Sequence, residues 1–336
     1  MLKSTKDLCF WQFKRKMRCR GRNLLSFRKK QAPGWDAMIK QPLHALLLCF
    51  VLFLAPASYV QSKDYDAGSK SFLWKVKSTT ATAYILGSIH VMKPESYPLN
   101  TKIETAFGES GVLAVEADID NISEKDIAAL ITKAVYSGDD SLDKHISKAT
   151  FELVMKESRD LGIDPGLLLK QKPLFLASSI EIFTLTRMGF DPNCGVDEHF
   201  LMEAAGKKKI MELESIDSQL ALIEGFSDSE QDALLYTTIK NIDKLQKIAG
   251  ELVEAWNAGD SKKIDSLMFQ DTENDPKMVL INDKLITERN AAMVVKIDDM
   301  LKTRDSYFIV IGAGHLVGDR GVIELLRKKG YTVEQQ

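Results

Sequence analysis

The sequence predicts an α/β fold: a mixed central sheet formed by N- and C-terminal segments of one domain, with a large helical insertion between them. Three observations predict it. Short apolar runs of strand type lie towards both ends, at 72–77, 82–86 and 112–115 and again at 307–311. Between about 123 and 302 the apolar residues recur mostly at helical spacing. Two of the strand-like runs exit directly into glycine, which lets a backbone leave a sheet through a sharp turn.

Taken in order, 72–77 and 82–86 read as two strands, joined by Ser78-Thr79-Thr80 as a hairpin turn. Residues 99–107 have helical spacing and stop before Gly108. The continuous apolar run at 112–115 is the pattern of a strand buried on both faces. A helix at 123–136 has Ser123 as its N-cap and Asp126 in its first turn. Further helices are expected at 148–160, 173–188, 195–205, 217–224, 228–257, 261–269 and 276–302, with one strand among them at 209–213. Residues 307–311 form the clearest buried strand, and a helix at 317–329 and a strand at 331–334 complete the chain. No fixed-period repeat is present, so the reading is one domain over 71–336.

The first 57 residues have a different character. Residues 1–30 carry eleven Lys or Arg against one acid, Asp7, and an apolar run at 45–55 leads into Ala55-Pro56-Ala57. A basic stretch, a short apolar core and an Ala-x-Ala exit describe a secretory signal peptide, and the run is too short for a comfortable membrane span. Met38-Ile39-Lys40 opens a more typical signal than Met1 does. The expectation is an upstream extension at 1–37, a signal peptide at 38–57 cleaved after Ala57, and a flexible lead-in at 58–70. The protein is then periplasmic or secreted, with an uncleaved membrane anchor as the alternative. Removing 1–57 takes away twelve basic and two acidic residues, leaving 33 against 45 and a formal charge of −12. Such a chain is a poor partner for nucleic acid or anionic lipid, and no stable membrane span is expected after cleavage.

Chemistry concentrates at three strand ends. The strand at 82–86 runs into Gly87-Ser88-Ile89-His90, that at 112–115 into Glu116, and that at 307–311 into Gly312-Ala313-Gly314-His315. Open α/β sheets place ligands at the carboxyl ends of their strands. Two imidazoles and one carboxylate converging there suit a divalent metal (Zn, Mn, Fe or Co), with positions left for water. Such an ion lowers the pKa of water into the neutral range. Without a metal, Glu116 and one histidine form a general acid/base pair. One Gly-x-x-His is a common pattern, but two among the four histidines that follow residue 57 are not.

Other segments carry a resemblance. Phe72-Leu73-Trp74-Lys75-Val76, Ile85 to His90, Leu113-Ala114-Val115-Glu116 and Gly195-Val196-Asp197-Glu198-His199-Phe200 occur in that order. They are followed by Leu213-Glu214-Ser215 with Gln219, Glu288-Arg289-Asn290 and Gly312-Ala313-Gly314-His315-Leu316-Val317-Gly318. Over 71–335 the sequence resembles the TraB/GumN/Tiki family. The resemblance implies a fold like the erythromycin-esterase and ChaN-like proteins and, for the Tiki branch, metal-dependent protease activity. It gives metal or catalytic roles to His90, Glu116 and His315. Arg289 falls at the family's Arg-Asn position, where a guanidinium holds a substrate carboxylate or stabilises developing negative charge. Asp197 and His199 read either as supports of the site or as a helix N-terminal acid and a partly buried histidine. Glu214 either closes the site or sits on a loop, and His145 reads as surface. Glu212 departs from the Gly that many relatives carry, which bears on the shape of that strand exit. The expected function is an exported metal-dependent hydrolase acting on a peptide or small molecule. Its alternative is a binding protein that sequesters a peptide signal, iron or haem in the same cleft.

Overall fold

A computed structural model describes residues 70–269 and 275–336. The extension, the signal peptide and nearly all of the lead-in expected from the sequence lie outside the described residues. The expected mixed sheet is present, with six strands in the order β4-β3-β5-β2-β1-β6. The strands are β1 (Leu73–Lys77), β2 (Thr82–Ser88), β3 (Val112–Val115), β4 (Lys209–Glu212), β5 (Ser306–Gly312) and β6 (Thr332–Gln335). β1 pairs antiparallel with β2 and with β6, whereas β2–β5, β3–β5 and β3–β4 are parallel. β5 is buried along nearly its whole length, as its unbroken apolar run requires.

The registers decide where the site falls. Ser88 stands opposite Gly312 across β2–β5, and Val115 stands opposite Val310 across β3–β5. Three neighbouring parallel strands therefore end within two residues of one another, and the residues that follow them are delivered to one rim of the sheet.

Helices α1 (Thr101–Glu109), α2 (Glu124–Ala134), α3 (Lys148–Leu161), α4 (Pro165–Leu169), α5 (Pro173–Arg187), α6 (Val196–Ala204), α7 (Ile216–Glu224), α8 (Asp228–Lys240), α9 (Leu245–Asn257), α10 (Ser261–Phe269), α11 (Pro276–Asn282) and α12 (Glu288–Met300) precede β5, and α13 (Val322–Lys328) follows it. Their starts follow local chemistry: Ser123, Ser147, Ser215 and Ser227 each accept a first-turn N–H through the side chain. One apolar core joins the strands to α6, α9, α10, α12 and α13 through residues such as Phe200, Trp256, Ile264, Met293 and Leu326. A second, within the insertion, packs Val154, Leu176, Ile180, Leu235 and Ile239 together. None of the described helices is long and apolar enough to cross a membrane.

Three expected helices differ in detail. The helix expected at 228–257 is two, α8 and α9, because the chain breaks at Asn241 and passes through a single tight turn at Ile242–Lys244. The helix expected at 276–302 is nearly continuous but widens to a π-turn at Asp283–Thr287, just before Arg289. The helix expected at 317–329 begins only at Val322, since Gly318 has φ +75° and belongs to a loop. Glu212 ends β4 in regular pairing, and its Oε1 accepts the Asp118 N–H at 2.7 Å, so the departure from glycine leaves the strand exit intact.

Candidate functional site

His90 lies two residues beyond β2, Glu116 directly after β3, and His315 in the tight turn Ala313–Leu316 that follows β5. All three come together around Gly312. A Cβ built on Gly312 would stand 3.2 Å from Glu116 Oε1, 3.3 Å from His90 Nε2 and 3.4 Å from His315 Cδ2. A hydrogen at this position is thus what leaves the three side chains room to meet.

Each imidazole is held from behind by an oxygen on the helical insertion. His90 Nδ1 lies 3.0 Å from Asp197 Oδ1, which also accepts from Ser88 Oγ at 2.9 Å. Asp197 occupies the first turn of α6. That helix begins against the His90 backbone: a Cβ on Gly195 would come within 2.5 Å of His90 O, and Val196 N donates to Ile89 O at 3.0 Å. His315 Nδ1 lies 2.6 Å from Asn290 Oδ1, and Asn290 is 1% exposed.

Glu116 is fixed by two donors. Gly312 N donates to Oε1 at 2.5 Å and Arg289 Nη2 to Oε2 at 2.6 Å. Arg289 also grips Glu214 through Nε (2.8 Å) and Nη2 (2.6 Å), while Nη1 donates to Leu285 O at 3.0 Å. Glu214 is itself held by Gln219 Nε2 at 3.1 Å, and its N donates to Glu116 O at 2.7 Å. The guanidinium thus bridges two carboxylates delivered by adjacent strand ends. Asp283 pairs with Arg320 at 2.6 Å rather than with Arg289.

The electrostatics follow from burial and pairing. Burial alone would raise Glu116, but Arg289 beside it, with the two imidazoles and the Gly312 N–H, brings its pKa down to about 2. Burial and the nearby Arg289 charge push His315 down to about 3, so it is neutral. Burial opposes charge on His90 as well, yet Asp197 outweighs it and the pKa stands above the ordinary histidine value. Asp197, Glu116 and Glu214 against Arg289 give the cluster a formal charge of −2 with both imidazoles neutral.

Two pinned imidazoles in a doubly negative pocket are a donor set that fits a divalent cation. The third expected ligand is less ready. Both Glu116 oxygens already accept hydrogen bonds, and Oε2 stands 4.0 Å from His315 Nε2. Among the described residues, no three His, Cys, Asp or Glu side chains form a closed metal-holding group. His145 and His199 fall elsewhere. His145 stacks on Tyr136 with ring centroids 4.5 Å apart and faces Asp140, and His199 Nε2 lies 3.3 Å from Glu104 Oε1.

The model of the TraB/PrgY/gumN family matches residues 72–335, and the chain belongs to that family. It is 24% identical over 245 residues to a protein of Escherichia coli (strain K12) named YbaP and described as uncharacterized, covering 73% of this chain and 87% of the relative. It is 23% identical over 352 residues to the metalloprotease TIKI1 of Xenopus tropicalis, covering 85% of this chain and 67% of that protein. A metalloprotease TIKI homolog of Nematostella vectensis is 22% identical over 321 residues, covering 79% and 66%. No solved structure matches the chain.

Proposed function

We propose that this chain is an exported metal-dependent hydrolase that cleaves peptide bonds, with His90, Glu116 and His315 at its reacting centre. One observation carries the reading: both histidines are tied at Nδ1 to an acceptor, and their rings meet Glu116 over Gly312. Tying Nδ1 in this way is the usual support of a metal-binding imidazole. The metalloprotease names of the TIKI relatives favour a peptide as substrate.

His90 and His315 would hold the ion, with Glu116 beside it, and the bound ion would polarise a carbonyl and make water more acidic. The remaining work falls to the chain. With its pKa near 2, Glu116 stays a carboxylate and is unsuited to donating a proton at neutral pH. Arg289 has five N–H groups, four of which go to Glu116, Glu214 and Leu285 O. It therefore acts first as the clamp that orients Glu116, and only one Nη1 hydrogen is left for substrate. The net negative charge favours a cation in the pocket and disfavours an anionic group beside the carboxylates. The basic and apolar segment at 1–57 supports export.

Metal analysis and a peptide-cleavage assay on purified protein test the reading. Bound divalent metal and cleavage are expected in the wild type, with both lost in His90→Gln and His315→Gln while the fold persists. Cleavage that survives a chelator would point instead to a metal-free His/Glu pair, and wild-type protein that takes up no divalent metal would defeat the proposal. N-terminal sequencing of the mature protein, expected to begin at Ser58, tests export.

A further inference from the structure

We infer that Asp197 and Asn290 are positioning residues that fix the tautomers of the two site histidines, so that each offers a bare Nε2 to the same space. The inference deepens the proposed hydrolase function and rests on the same cluster. A carboxylate only accepts hydrogen bonds, so the 3.0 Å contact between Asp197 Oδ1 and His90 Nδ1 places the proton on Nδ1. An asparagine can face either way, and here its other contact decides. Asn290 Nδ2 donates to Arg320 O at 2.9 Å, which turns Oδ1 towards His315 Nδ1 at 2.6 Å. His315 Nδ1 is therefore a donor too, and a neutral ring with its proton on Nδ1 has a lone pair on Nε2.

The two supports come from different parts of the insertion and differ in chemistry. Asp197 stands in the first turn of α6 and shares its Oδ1 between His90 and Ser88 Oγ. Asn290 stands in α12, next to Arg289, and is anchored to the loop that follows the His315 turn. The strands bring the imidazoles to one rim, and these two helices set which face of each ring is used. One acceptor is an anion and the other a neutral amide, so the arrangement does not depend on both supports being charged.

Nitrogen-15 correlation spectra of the histidine side chains read the tautomers directly, on full-length, metal-free protein at a pH where both rings are neutral. Nδ1–H is expected for both His90 and His315. Asn290→Leu should shift His315 towards the Nε2–H form that a free imidazole prefers and leave His90 unchanged. Asp197→Leu should do the converse, whereas Asp197→Asn, which keeps an acceptor oxygen, should retain Nδ1–H. Zn²⁺ titration should show a 10- to 100-fold loss of affinity in the leucine variants and a smaller loss in Asp197→Asn. A wild-type spectrum with either histidine in the Nε2–H form overturns the inference without recourse to variants, and so does an Asn290→Leu protein with unchanged His315 tautomer and Zn²⁺ affinity. Wild-type protein that binds no Zn²⁺ but shows both Nδ1–H tautomers would defeat the hydrolase reading and uphold this one.

Discussion

At the scale of single residues, the site depends on a missing methyl group. Gly312 has φ −51° and ψ 137°, which any residue can adopt, so Gly312→Ala introduces no backbone strain. Its Cβ would instead press on Glu116, His90 and His315 at 3.2–3.4 Å. The expected result is a modest loss of stability, about 1–3 kcal/mol from overpacking, with at least a tenfold loss of Zn²⁺ affinity by calorimetry. Unchanged affinity would mean that the three groups do not act at one point. The buried ionisable groups give a second prediction. His315, held at about 3, and Glu116, held at about 2, both bind protons less readily in the folded state than in the unfolded chain. The contribution of His315 is therefore whole above pH 6.5 and erodes as the pH falls towards 3, and that of Glu116 erodes from 4.5 towards 2. His90 works in the opposite sense, adding stability below 6.5 that fades as the pH rises through its folded value. Urea unfolding of metal-free protein should weaken on acidification from pH 6.5, on the order of a few kcal/mol in all, and the slope should be shallower in His315→Gln. The strand-end groups were legible in the sequence because each follows a glycine or an apolar run. Their supports were legible only in part: the sequence left Asp197 open between a support of the site and a helix N-terminal acid, and it named Asn290 only as a neighbour of Arg289. Asp197 lies 107 residues from His90 and Asn290 lies 25 from His315, and contacts at such separations leave no spacing signal that pairs them.

Among the elements, those with a simple period were the legible ones. β3 and β5 are continuous apolar runs, and α2 and α3 are amphipathic helices with serine caps, so pattern alone located them. What escaped were departures from a period: the break at Asn241, the π-turn at Asp283–Thr287 and the loop before α13. The π-turn is the departure that matters most for the site. It adds an extra residue to a helical turn just before Arg289 and so sets the angle at which α12 presents Arg289 and Asn290. A second link between insertion and sheet runs through α9, where Trp256 Nε1 donates to Gly87 O at 2.6 Å, three residues before His90. Trp256 is 2% exposed, so the bond is dry and Gly87 O has no ready substitute for it. Trp256→Phe keeps most of the apolar volume and removes the donor. It should cost about 1–3 kcal/mol in chemical denaturation and lower Zn²⁺ affinity through the loosened β2 exit. Trp256→Phe with wild-type stability would show that α9 is held by packing alone.

On the scale of the whole molecule, the sheet order makes the site a property of the complete fold. β2 and β3, which carry His90 and Glu116, do not pair with one another; β5 lies between them. β5 is also the strand that supplies Gly312 and leads to His315, and it comes near the C-terminal end, after the whole helical insertion. The rim at which the three groups meet therefore exists only once β5 has entered between β2 and β3, and contacts this distant in sequence form late and cooperatively. The sequence made both ends of the sheet legible, but not this order, because parallel pairing between distant strands has no local turn to announce it. Native-state hydrogen exchange tests the consequence. Tyr307 to Val310 have a paired strand on each side and are buried, so their amides should exchange only through global unfolding. Their exchange free energies should fall with denaturant at the slope of the global transition. The amides of β6, an edge strand with alternately exposed residues, should exchange through smaller openings at a shallower slope. Exchange in β5 as fast and as shallow in slope as in β6 would mean that the centre of the sheet opens on its own. The histidines and Glu116 would then come apart and meet again within the folded protein instead of being held together by the whole of it.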